Sequence, residues 1–226
     1  MKIPCRKFIL TAMPFALLFI IAAPPSFAVS CHCFRDRTYE SSEPFLADPY
    51  ILATARNSFV AFASGASKSD VVKERMGGAD EAYIWLTKYI GSKSGVEADT
   101  IAKAHSSDVS WDAAFKGAGV DTANFGEKFN RARTSGDAEG MSRALADIEL
   151  RRAFGVSAAV LSALRDKGAD NAETVLSLLV AKLSGDDPVV VLSSVSPDGK
   201  SWGALLDGVG VMPAGVGEEL GKLYKK

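Results

Sequence analysis

Cysteine, histidine and any surplus of positive charge are scarce in this 226-residue chain, which has three cysteines, two histidines, and 26 Lys+Arg against 27 Asp+Glu. Without a basic excess the chain lacks the electrostatic footprint of a nucleic-acid binder, whose affinity comes largely from displacing counterions on phosphates. Its 20 glycines and nine prolines follow no three-residue period, which excludes a collagen helix. Beyond the first 28 residues no apolar run approaches the roughly 20 residues that a membrane-spanning helix needs. What is present, 47% hydrophobic and 23% charged residues, is the composition of a folded globular protein and not of a disordered one.

The first segment has a distinct chemistry. Lys2, Arg6 and Lys7 form a positive start, Phe8 to Ala23 is apolar except for Thr11 and Pro14, and Pro24-Pro25 precede Ser26-Phe27-Ala28. Small residues at the first and third places of that tripeptide suit a signal-peptidase pocket, so residues 1–28 are expected to be a signal peptide and the chain to be exported to the periplasm or cell envelope. Ala28-Val29-Ser30-Cys31 also loosely matches a lipobox, in which Cys31 would be acylated and tether an otherwise water-soluble protein to a membrane. Ala28 stands where such boxes favour Leu. Removing 1–28 takes away three basic residues and no acid, leaving 23 basic against 27 acidic residues and a net charge of −4. The body that remains can bury roughly 70% of its unfolded surface, enough for a core without disulfide help.

Residues 29–44 form a leader that holds the densest reactive chemistry, Cys31-His32-Cys33. Three uses compete. Cys31 and Cys33 form a disulfide in an oxidising compartment, which demands a tight turn because alternate residues of an extended chain lie nearly 7 Å apart. Alternatively the thiolates, with or without His32, bind copper(I) or zinc, although alternation places His32 on the opposite side of an extended chain. In the third, Cys31 carries lipid and Cys33 is spare. Covalent haem is disfavoured, because attachment uses Cys-x-x-Cys-His and this chain has Cys-x-Cys.

The body reads as a tandem repeat of about 90 residues. Gly65 falls on Gly155, Ser67 on Ser157, Arg75 on Arg165, Gly78-Ala79-Asp80 on Gly168-Ala169-Asp170 and Ser94-Gly95 on Ser184-Gly185 at a constant shift of 90. One inserted residue later, Ser110-Trp111 falls on Ser201-Trp202, Gly119-Val120 on Gly210-Val211 and Gly126-Glu127 on Gly217-Glu218. This divides the chain into a first repeat over 45–135 and a second over 136–226.

Within each repeat the pattern is helical. Asp48-Pro49 supplies a cap and a first-turn proline for a helix with Ile51, Leu52, Ala55, Phe59 and Phe62 on one stripe. Ser67, Asp80, Ser110 and Asp121 open further short helices, and glycines close them. In the second repeat, helices are expected over Met141–Phe154, Ser157–Lys167, Ala172–Leu183, after Ser201, and over Glu218–Tyr224. Val189-Val190-Val191-Leu192 is β-branched, but its counterpart Thr100-Ile101-Ala102-Lys103 has no strand character, so helix is assigned. The class is all-α: two tandem repeats in a helical bundle or array. Trp111 and Trp202, each following a capping serine, are expected to pack across helix junctions, with a paired platform for a ring-shaped or sugar ligand as the alternative.

No catalytic motif emerges. Gly208-Val209-Gly210 does not follow a strand, the glycine of Asp166–Glu173 is misplaced for an EF-hand, and neither His32 nor His105 sits beside a nucleophile elbow. The turn Ser201-Trp202-Gly203, with Gly208-x-Gly210-Val211 behind it and the apolar helix Ala172–Leu183 before it, resembles uncharacterised exported bacterial all-helical proteins in which such a helix leads to a glycine–tryptophan–glycine turn. The resemblance implies an all-helical fold and an envelope location. The functional expectation is a non-catalytic interaction or scaffold module, with an envelope protein or small ligand as partner. The alternative is a metal- or thiol-redox protein using Cys31, His32 and Cys33.

Overall fold

The computed structural model describes residues 37–105 and 108–225. The expected signal peptide and Cys31-His32-Cys33 lie outside the described residues. Within them the chain is all-helical, with no strand and one isolated bridge between Val195 and Lys200. No helix there is long and apolar enough to cross a membrane.

Six helices come first: α1 (Asp48–Ser64), α2 (Lys68–Met76), α3 (81–94), α4 (Ala98–Ala104), α5 (Trp111–Gly117) and α6 (Gly126–Ser135). Six more follow: α7 (Ala138–Phe154), α8 (Ala158–Asp166), α9 (Asn171–Ser184), α10 (Pro188–Ser194), α11 (Trp202–Gly208) and α12 (Val216–Tyr224). Single 3-10 turns, Ala123–Phe125 and Pro213–Gly215, lead into α6 and α12.

Local chemistry explains most boundaries. The side chains of Ser67, Asp80, Ser110, Ser157, Asp170 and Ser201 each accept from a backbone N–H in the first turn of the helix they precede. At Asp170 the cap is reciprocal, since Glu173 reaches back to the Asp170 N–H at 2.9 Å. Gly65 and Gly155 end α1 and α7 at φ 71° and 70°, a left-handed conformation that costs a Cβ-bearing residue more than glycine. Asp187 caps α10 and Pro188 occupies its first position, so the valine-rich run is helical despite its β-branched side chains.

Two expected caps do something else. Asp48 lies inside the first turn of α1, after Ala47, and its carboxylate leaves its own helix. It accepts from the N–H groups of Trp202 at 3.0 Å and Gly203 at 2.9 Å, covering the start of α11. Burial raises its pKa above the ordinary carboxylate value, against the pull of those two amides. Asp121 accepts from the Ala123 N–H within the turn, and α6 begins only at Gly126.

The long helices decide the packing. α1 packs against α9 and α12, and α7 packs against α3 and α6, while α1 and α7 also touch α3 and α9 respectively. The two stretches of chain therefore interlock around one continuous core containing Phe59, Trp85, Phe115, Phe129, Leu145, Leu176 and Trp202. Each such large apolar side chain, fully buried, contributes roughly 1.5–3 kcal/mol. Gly203 marks a close approach, since a Cβ there would lie 2.6 Å from the Tyr39 ring.

Candidate functional site

One charged residue lies in the core among the described residues. Glu149 on α7 is 1% exposed. Burying a carboxylate is costly unless it is paired and hydrogen-bonded, and here every approach is filled. Tyr89 donates its hydroxyl to Oε1 at 2.9 Å, and the Lys93 ammonium lies 3.3 Å from the same oxygen. The Arg152 guanidinium donates to Oε2 through Nε at 2.8 Å. Lys93 also lies over the Tyr89 ring at 5.1 Å, and Arg152 over the Tyr224 ring at 5.0 Å. Burial first, then the Glu149 charge, pushes the Tyr89 and Tyr224 hydroxyls well above their ordinary pKa. Donating to the Glu149 carboxylate raises Arg152 above its ordinary value.

Helix geometry sets this arrangement. Tyr89 and Lys93 are four residues apart on α3, hence on one face. α3 does not run as a plain α-helix: Trp85–Tyr89 form a π turn, which widens the helix at Tyr89 and accompanies functional sites unusually often. Trp85 and Tyr89 contact each other with ring centroids 5.3 Å apart, and Phe59 closes on Trp85 at 5.4 Å.

Above the cluster opens a cavity of about 420 Å³, within the range of small-molecule sites. Tyr89, Lys93 and Ser94 line it from α3, Asp121 and Asn124 from the α5–α6 connection, and Phe125 with Ile148 supply apolar wall. Asp121 and Asn124 are exposed.

A second polar cluster joins the two stretches of chain. Asn171 donates to Glu81 Oε1 at 2.6 Å across 90 residues of sequence. Arg56 pairs with Glu81 at 3.2 Å and Asp170 at 2.8 Å, while Arg165 holds Asp147 at 2.9 Å and the Ala169 carbonyl at 3.0 Å. All its charges have partners, and its geometry is that of a cross-brace.

The two tryptophans singled out by sequence fall elsewhere. Trp202 is 2% and Trp111 9% exposed. Trp111 stacks on His105 with centroids 3.7 Å apart and meets Tyr83 edge-on at 6.0 Å. Cys31, His32 and Cys33 lie outside the described residues. Among the described residues no group of three His, Cys, Asp or Glu is placed to hold a metal ion. Comparison with protein-family models, curated proteins and solved structures found no match.

Motif reasoning missed Tyr89, Lys93, Asp121, Asn124 and Glu149, but a signal was there. Their counterparts 90 or 91 residues away are Leu179, Leu183, Met212, Gly215 and Phe59. Four of these five differences of polarity line one cavity, and the fifth, Glu149, holds two of its walls.

Proposed function

We propose that this chain is an exported, non-catalytic binding module of the cell envelope, derived from two copies of one helical unit of about 90 residues. Support for the duplication comes from matched elements. The caps Ser67 and Ser157, Asp80 and Asp170, and Ser110 and Ser201 do the same work at offsets of 90 or 91 residues. The glycine pairs 65/155, 78/168, 95/185 and 119/210 share a left-handed backbone. Glu81 and Asn171, equivalent under the 90-residue shift, bond to each other, as positions beside a local two-fold axis would.

The observation that carries the functional reading is the distribution of the unmatched residues. Matched positions hold caps, glycines and tryptophans, which serve folding. The departures at positions 89, 93, 121 and 124 put polar groups on the walls of one ligand-sized cavity, and the departure at 149 supplies the carboxylate that holds Tyr89 and Lys93 there. A photo-crosslinking residue placed at position 124 of the full chain is expected to trap a defined species in cells, and one at position 215 to trap none. Equal labelling at both positions sinks the reading.

Export rests on the Lys2–Ala28 segment. Intact mass of protein purified from envelopes without reductant is expected to show cleavage after Ala28, or acyl mass on Cys31 in the tethered form. A mass that retains residues 1–28 excludes both forms. The thiol alternative rests on Cys31-His32-Cys33 alone, with copper or zinc as the metal, and predicts that Cys31→Ser/Cys33→Ser loses bound metal. Unchanged metal content removes it.

A further inference from the structure

We infer that the cavity over Glu149 takes a small zwitterion, an α-amino acid with an apolar side chain. The inference rests on reading the chain as a binding module and names the ligand of that site.

Two opposite charges line this one cavity without pairing with each other. Lys93 stands at the end of α3, where its ion pair is with Glu149, and Asp121 stands on the α5–α6 connection. Each keeps unused capacity. The Lys93 ammonium has three N–H donors; one side meets Glu149 at 3.3 Å and another lies over the Tyr89 ring at 5.1 Å, while the side chain stays 39% exposed. Asp121 spends Oδ1 on the Ala123 N–H at 3.0 Å, and its other oxygen has no partner among the described residues. Asn124 adds a free donor and acceptor beside them.

A simple anion gains little here, because Glu149 already shares the charge of Lys93 and Asp121 opposes the newcomer. A simple cation meets the converse problem. A dipolar ligand answers both, with its carboxylate on Lys93 and its ammonium on Asp121 in charge-assisted hydrogen bonds. Phe125 and Ile148 then offer wall to an apolar side chain, and Ile148 is 40% exposed. The counterparts of Lys93 and Asp121 are Leu183 and Met212, so the dipole exists on one side of the molecule only.

The test is calorimetric titration of the full mature chain with L-leucine, L-leucinamide, N-acetyl-L-leucine, leucyl-glycine and glucose. Leucine is expected to bind. The amide and the acetyl compound, each lacking one charge, and the dipeptide, whose charges are spread, are expected to bind about tenfold or more weaker, and glucose not to bind. Asp121→Asn alters an exposed side chain and is expected to weaken leucine about tenfold with the circular dichroism spectrum unchanged. Leucinamide, acetyl-leucine or the dipeptide binding as well as leucine overturns the inference, as does an undiminished affinity in Asp121→Asn or no leucine binding at millimolar concentration. Glucose binding in place of leucine also overturns it, yet leaves the binding-module reading standing. Only equal crosslinking at positions 124 and 215 removes that reading.

Discussion

Phe59 and Glu149 occupy corresponding places on the two long helices, and they show two ways of filling a core. Phe59, 1% exposed, meets Trp85 ring to ring and needs nothing beyond close packing. Glu149, equally buried, needs a phenol, an ammonium and a guanidinium drawn from α3 and its own helix. Packing residues act singly, whereas a buried charge needs partners that converge. The π turn Trp85–Tyr89 serves both, since Trp85 receives Phe59 and Tyr89 reaches Glu149, and the ligand-sized cavity opens beside Tyr89.

The largest expected effect comes from exchanging the two solutions. Phe59→Glu places a carboxylate against Trp85, and an uncompensated buried charge costs several kcal/mol, so cooperative urea unfolding is expected to be lost at 25 °C. Glu149→Phe is expected to cost only about 1–3 kcal/mol. It strands the Tyr89 hydroxyl, but the Lys93 and Arg152 side chains are 39% and 54% exposed and can turn to water. Equal losses in the two variants would mean that the partners of Glu149 contribute nothing particular.

A smaller effect is expected where the two stretches meet. Asn171→Glu replaces the amide that donates to Glu81 with a second carboxylate, and although Arg165 and Arg56 lie against the pair, the lost hydrogen bond and the like-charge contact are expected to cost about 1–3 kcal/mol in a partly buried site. The loss should shrink at acidic pH as one carboxylate takes up a proton. A loss independent of pH would argue for altered packing instead.

The mildest test concerns alkaline pH. Tyr89 and Tyr224 have raised pKa values, so their contribution to stability is whole below their ordinary value of 10.0 and is lost as pH rises above it. Unfolded tyrosines ionise there while the folded ones keep their protons, which lowers stability by roughly 1.4 kcal/mol per pH unit for each tyrosine. Urea titrations at pH 9, 10 and 11 should therefore show a steeper decline for the native sequence than for Tyr89→Phe/Tyr224→Phe. Parallel declines would place both hydroxyls in water.

Much of the fold was legible because its signals are local. Ser67, Asp80, Ser110, Ser157, Asp170 and Ser201 cap helices within three residues of themselves, and glycine closes α1 and α7 within one turn. Asp48 and Asp121 misled because the same side chain can serve a more distant or a tighter partner, and sequence spacing does not choose between them. The candidate site was hidden for a related reason. Glu149 lies between Ile148, which is 40% exposed, and Leu150, which is buried, so neither neighbour marks the face that turns inward.

From its amino acids alone the chain committed to short capped helices at recurring offsets. These are consequences of side-chain volume, hydrogen bonding and backbone freedom acting over a few residues. Tertiary structure alone decided that α1 would pack on α9 and α12 while α7 packs on α3 and α6, and so which carboxylate among the described residues would be buried. Contacts such as Tyr89 to Glu149 span 60 residues, and a pairing over that distance is set by how whole helices cross.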